Sequence, residues 1–80
     1  MKVRSLQDST LRYVRGSLRN YLEGGQNLAW ISGVILHSGL QLQESRLVFL
    51  ELRSYGQGDR YRTLADWFDR ASAETAGSST

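Results

Sequence analysis

Residues 27–39, NLAWISGVILHSG, contain no aspartate, glutamate, lysine or arginine, and most of them are apolar. A segment of this kind must be buried inside the protein or covered by a partner, because a large apolar surface is unfavourable in water. Its apolar centre spans about ten residues, about half of what a helix needs to cross a bilayer. We therefore expect it to form part of a small core or a contact surface, and not a membrane span.

The chain has 80 residues and no cysteine or proline. This length predicts one domain, which we place at residues 1–74, followed by a flexible polar tail at residues 75–80. Without cysteine, no disulfide can form and no thiolate can bind a metal ion. The N-terminal residues lack the apolar stretch of a signal peptide. We predict a cytoplasmic protein that uses no metal ion or cofactor and does not contact a membrane.

Two amphipathic helices are predicted, one near each end of the chain. Apolar residues spaced by three and four predict a helix over residues 6–23, which Gly24 or Gly25 would end. Thr63 and Asp66 form a capping-box pattern and predict a second helix over residues 64–73. The apolar positions of the two helices are Leu11, Val14, Leu18, Leu22, Leu64, Ala65, Trp67 and Phe68.

The central part of the chain allows two interpretations. Residues 28–36 and 46–55 can alternate between two faces as β-strands, with Gly39 in the connection. They can also form helices, since Asn27 suits an N-cap and Gly39 suits the residue after a helix. The cluster of Ile, Val, Phe and Trp, together with Gly33, favours strands. We predict an α+β domain of the order helix, β-hairpin, helix (αββα) with a small antiparallel sheet; the alternative is an all-α domain of four short helices.

The αββα arrangement predicts one core face and one face left over. The predicted core consists of Leu11, Val14, Leu18, Leu22, Trp30, Val34, Leu50, Leu52, Leu64 and Phe68. The second face of the hairpin would carry Ile31, Ile35, Leu47 and Phe49. Because this is a large apolar surface for so small a domain, we predict that these four residues form a protein interface, either with a second copy or with a host protein.

Basic residues are concentrated near the N-terminus, although the net charge is only +2. Arg12, Arg15 and Arg19 recur at spacings of three and four, which places them in one stripe along the first helix, with Tyr13 and Tyr21 nearby. A basic helix with interleaved aromatic residues is typical of a surface that contacts nucleic acid or an acidic partner. Arg60 and Arg62 would extend this surface if the two terminal helices lie side by side.

The sequence contains no pattern that identifies a reaction. His37 is the single histidine, and the adjacent Ser38 is poorly placed to form a catalytic pair with it. The glycine-rich segment YGQGDR, residues 55–60, lacks the Lys-Ser/Thr ending of a P-loop and the three glycines of a dinucleotide-binding loop. We predict no catalytic residue, and we expect that the protein is not an enzyme.

In its size, its predicted αββα order and its lack of catalytic residues, the chain resembles small accessory proteins of phages and mobile elements. That resemblance is one of type and not of motif, and it implies a protein that binds a host protein or nucleic acid. We predict a non-enzymatic binding or regulatory protein that acts through protein–protein contacts as a homodimer. The alternative is a nucleic-acid-binding protein that uses the basic N-terminal helix.

Overall fold

The computed structural model describes the backbone of residues 2–78 and the side chains of residues 8–74. This part of the chain is helical and contains no strand. The helices are α1 (Lys2–Leu22), α2 (Leu28–His37), α3 (Leu42–Glu51) and α4 (Asp59–Ser78), with a 3₁₀ turn at Arg53–Tyr55 before α4. The predicted αββα fold is therefore wrong, and the alternative of four helices is confirmed.

Helix α2 replaces the first predicted strand because both of its ends are specified locally. The side chain of Asn27 accepts a hydrogen bond from the backbone N–H of Trp30 at 2.9 Å, which is an N-cap. Gly39 follows the helix with φ = 85°, a left-handed conformation that favours glycine. An isolated two-stranded hairpin is only marginally stable, whereas a capped helix satisfies its backbone groups within the segment.

Helix α3 replaces the second predicted strand and also begins with a cap. The carboxylate of Glu44 accepts a hydrogen bond from the backbone N–H of Gln41 at 3.3 Å, as in a capping box. The negative charge of Glu44 in the first turn also suits the positive end of the helix dipole. Leucine, glutamate and arginine, which recur in this segment, are good helix formers.

The terminal helices are where they were predicted, but they are longer. α1 begins at Lys2 and ends at Leu22, and Gly24 then adopts φ = 94° in the turn to α2. α4 begins at Asp59, so Thr63 and Asp66 lie inside the helix and not at its start. The helix continues to Ser78, into the predicted tail at residues 75–80, and residues 79–80 of that tail lie outside the described part of the chain.

The core lies between α1 and the other three helices, and each of these three contacts α1. Its centre is aromatic: Phe49 stacks on Tyr61 with ring centroids 4.5 Å apart and lies 5.2 Å from Phe68. Among the residues whose side chains are described, the buried apolar ones are Val14, Leu18, Tyr21, Ile31, Ile35, Val48, Phe49, Leu64 and Phe68. Ser45 is also buried, and its hydroxyl has no hydrogen-bond partner in the described part of the chain.

The predicted core is confirmed at four positions of the terminal helices and only partly correct elsewhere. Val14, Leu18, Leu64 and Phe68 are fully buried, as predicted. Five further predicted residues are only partly buried at its edge, namely Leu11, Leu22, Trp30, Val34 and Leu52. Leu50 is exposed, because a helix turns it away from the face that a strand would have given it.

Candidate protein-interaction surface

The four residues predicted as a protein interface do not lie on one surface. Ile31, Ile35 and Phe49 are buried within the protein itself, while Leu47 is 55% exposed. A hairpin would place all four on one face, but in α3 the side chains repeat every 3.6 residues instead of every two, which separates Leu47 from Phe49. The covering of Ile31 and Ile35 by the protein's own helices removes the reason for placing an interface there.

A different apolar surface lies on the outer side of α2, and we call it the α2 face: Ala29, Ser32, Gly33 and Leu36. Leu36 is 66% exposed, and an added Cβ at Gly33 would meet no atom within 4 Å. The hydroxyl of Ser32 donates to the carbonyl of Ala29 at 2.9 Å, within the same helix. The α2 face therefore presents no charge, and its hydroxyl already has a partner.

A shallow groove adjoins the α2 face between α2, α3 and α4. Leu36, Leu42 and Trp67 line it, and it has a volume of about 320 Å³. Arg70, Ala71 and Glu74 of α4 form the rest of its lining. Arg70 is paired with Asp66 of the same helix at 3.1 Å. The groove therefore adds both apolar and charged side chains to the surface beside Leu36.

A second exposed apolar surface lies on α3, where Leu47 and Leu50 are 55% and 45% exposed. These residues are three apart, so they lie on the same side of the helix. Glu51 and Arg53 border the two leucines. Charged residues therefore flank both exposed apolar surfaces: Glu51 and Arg53 beside the α3 surface, and Arg70 and Glu74 beside Leu36 of the α2 face.

The predicted basic surface is divided between unpaired and paired arginines. Arg12, Arg19 and Arg62 are exposed and have no ion pair with a described residue. Arg15 of α1 is paired with Glu51 of α3 at 2.6 Å, where both side chains are about half exposed. An exposed ion pair of this kind contributes little to stability, but it reduces the positive charge of the stripe.

Arg60 has a structural position at the C-terminal end of α1. Its Nη1 donates to the carbonyl of Tyr21 at 3.0 Å and also to the carbonyl of Gln26. Its guanidinium lies 5.0 Å from the centre of the Tyr21 ring. A cation at this end of a helix is favourable, because the last carbonyls carry the negative end of the dipole. Arg60 thus connects α4 to the α1–α2 turn.

The two tyrosines near the basic stripe have different environments. Tyr13 is exposed, while Tyr21 is buried in the core beneath Arg60. Burial raises the pKa of the Tyr21 phenol above its ordinary value of 10.0, and the positive charge of Arg60 opposes that rise. Of the two rings, Tyr13 alone is accessible for stacking on a base.

The residues considered for catalysis or metal binding do not converge in the described part of the chain. His37 is the last residue of α2 and is exposed. Among the described residues, no group of three or more histidine, aspartate or glutamate side chains could hold a metal ion. No helix in this part of the chain is both long and apolar enough to cross a bilayer.

Comparison with protein-family models, curated proteins and solved structures found no match. Sequence reasoning missed the α2 face because it assigned residues 28–36 to a strand. The sequence did contain a signal for this face: the segment has a residue suited to each end of a helix and carries no charge. A helix without a charged side has no face made for water, so it is expected to be covered.

Proposed function

We propose that the chain is a non-enzymatic binding or regulatory protein that acts through protein–protein contacts, and that it does so as a homodimer. The observation that supports this proposal is the exposure of three leucines, Leu36, Leu47 and Leu50, on so small a domain. Scattered apolar residues are normal on a protein surface, but Leu36 continues into a groove that Leu42 and Trp67 also line. A contact with another protein would remove this surface from water. Because the chain lacks cysteine, a reducing compartment suits it, and we place it in the cytoplasm.

The homodimer is tested by sedimentation equilibrium between about 1 and 100 µM, a range that covers the affinities expected for small interfaces. We expect the mean mass to rise with concentration from that of one chain toward that of two. The rise should persist in high salt, because contacts between apolar surfaces are not screened by ions. A constant mass of one chain at about 100 µM would contradict the homodimer.

A second candidate function is nucleic-acid binding through α1. Arg12 and Arg19, which are two turns apart on the exposed side of the helix, support it, together with the exposed Tyr13. Unpaired arginines can neutralise phosphates and release counterions. The modest net charge of +2 and the pairing of Arg15 make this candidate weaker than the first.

This candidate is tested with a gel shift of mixed DNA and RNA at low salt. Binding through Arg12, Arg19 and Arg62 would give a log–log salt slope of about −2 to −3, since each phosphate contact contributes about −0.9. The double variant Arg12→Glu/Arg19→Glu should abolish the shift, while the control Arg70→Glu on α4 should preserve most of it. The absence of a shift at low salt, or equal shifts for the two variants, would exclude this function.

A further inference from the structure

We infer that Arg15 is the central phosphate contact of α1, and that Glu51 occupies this contact until the phosphate backbone of a nucleic acid displaces it. This inference rests on the second candidate function, nucleic-acid binding through α1, and names a further binding residue and its internal competitor. The pair itself shows what the position binds, because the Nη2 of Arg15 donates to a carboxylate oxygen of Glu51 at 2.6 Å. A guanidinium group binds a phosphate with the same hydrogen-bonding geometry as a carboxylate.

Arg15 lies in the middle of the exposed stripe of α1. Arg12 precedes it by three residues and Arg19 follows it by four, so the three side chains start from one side of the helix. All three are exposed. Residues 12–19 span about 10 Å along the helix axis, and one strand of DNA has about three phosphates in that length. A backbone that contacts both outer arginines therefore also passes over Arg15.

Glu51 is the carboxylate that blocks the middle of this stripe. Among the described residues, no other carboxylate forms an ion pair with an arginine of the stripe. Asp8 and Glu23 lie about one turn beyond the two outer arginines, at the ends of the stripe. The carboxylate of Glu23 accepts a hydrogen bond from the hydroxyl of Tyr55 at 2.7 Å. The charge at the centre of the stripe therefore depends on Glu51.

A further arginine lies beside the pair. Arg53 lines the same shallow groove as Glu51, is exposed and has no ion pair with a described residue. The single negative charge of Glu51 is thus shared between Arg15, by contact, and Arg53, by proximity. A nucleic-acid backbone offers one negative charge for each phosphate, so it can neutralise several arginines where Glu51 neutralises one. Charge complementarity therefore favours a polyanion at this surface.

The exposure of the pair makes the exchange possible. The side chains of Arg15 and Glu51 are 45% and 59% exposed. An exposed ion pair changes an equilibrium constant by no more than about fivefold, so a phosphate needs to overcome only a small penalty to replace Glu51. Once displaced, the carboxylate returns to water, whereas a buried carboxylate would be left without a partner.

The structure contains a matched control pair on another surface. Arg46 of α3 and Asp69 of α4 form an ion pair at 2.9 Å, with side chains that are 43% and 64% exposed. Glu51→Gln and Asp69→Asn each raise the net charge by one, and each frees one arginine of an exposed pair. The two variants differ in which arginine they free, and only Glu51→Gln frees one on the stripe of α1.

The first experiment measures the fluorescence anisotropy of a labelled mixed-sequence DNA duplex, and of an RNA of the same sequence, between about 50 and 200 mM salt. We expect Glu51→Gln to bind about three- to fivefold more tightly than Asp69→Asn at low salt, because the penalty of the Arg15 pair is gone. The log–log salt slope of Glu51→Gln should also be steeper by about 0.9, one further phosphate contact. Circular dichroism verifies that both variants are folded.

The second experiment places both changes in an Arg15→Ala background. If Glu51 acts by occupying Arg15, the additional gain from Glu51→Gln should disappear there. The double variant Arg15→Ala/Glu51→Gln should then bind as tightly as Arg15→Ala/Asp69→Asn, within the precision of the assay. Both should have the same salt slope.

The outcomes separate the inference from the candidate function on which it rests. Equal gains for Glu51→Gln and Asp69→Asn would reflect net charge alone, so they would overturn the inference and leave nucleic-acid binding intact. A specific gain from Glu51→Gln that persists without Arg15 would overturn it as well, because the effect would not pass through that residue. If neither the wild-type protein nor any variant binds either probe at low salt, both the inference and the candidate function are excluded.

Discussion

Replacing Phe49 with alanine should cost about 3–5 kcal/mol of folding free energy, the range measured for truncating a buried phenylalanine. Phe49 is 1% exposed and contacts the rings of Tyr61 and Phe68 at the centre of the core. A domain of this length has roughly 4–12 kcal/mol of stability, so Phe49→Ala should remove a large part of it and, at the lower end of that range, unfold the protein at 25 °C. Urea denaturation followed by circular dichroism measures the change.

The matched control is Leu47→Ala, two residues away on the same helix. Leu47 is 55% exposed, so its truncation should change stability by no more than about 0.5 kcal/mol. The pair tests the fold directly, because in a strand Leu47 and Phe49 would share one face and in a helix they point apart. Similar losses for the two variants would contradict the helical structure of α3.

Replacing Arg60 with alanine should destabilise the protein by about 1.5–3 kcal/mol, the range expected when a charged hydrogen-bond donor is lost. The substitution removes the bonds to the carbonyls of Tyr21 and Gln26 and the contact with the Tyr21 ring. It also removes one of the two cations near the C-terminal end of α1, the other being Arg19 in the last turn of the helix. Thermal or urea unfolding measures the loss, and Arg60→Lys should show part of it, since an ammonium group keeps the charge but not the planar guanidinium.

Arg62→Ala is the control for Arg60→Ala. Arg62 is exposed and has no ion pair with a described residue, so its removal should change stability by no more than about 0.5 kcal/mol. In the nucleic-acid assay the order of the two effects reverses. Arg62→Ala should weaken binding more than Arg60→Ala, because Arg62 is available for phosphate contacts while Arg60 is held by the protein. Equal stability losses for the two variants would show that Arg60 has no special structural role.

The terminal helices could be predicted because their apolar residues follow one period only. Val14 and Leu18 of α1, and Leu64 and Phe68 of α4, recur every four residues, and all four are fully buried. Four residues is close to one helical turn, so these side chains face the same direction. The ends of the helices were less predictable, since the capping-box pattern at Thr63 lies inside α4.

The central helices were predicted wrongly because their spacing fits two structures. Ile31 and Ile35 are four residues apart, which places them on one face of a helix and equally on one face of a strand. Residues adjacent in the sequence distinguish the two structures. Val48 and Phe49 are adjacent and both buried, which a helix allows and a strand with a single covered face does not. Asn27 and Gly39 marked the ends of α2, and these local signals outweighed the β-propensity of the residues between them.

The spacing of apolar residues and the caps of each helix are properties of short segments, so the sequence determines the two terminal helices and contains the signals for α2. Which face of each helix is buried depends on the helices packed beside it. The tertiary structure alone therefore places Phe49 in the core and leaves Leu36 exposed on α2. It also brings Arg60 within hydrogen-bond distance of the Tyr21 carbonyl at the end of α1. Contacts between residues far apart in the chain decide these outcomes, because each helix must bury its apolar surface against the others.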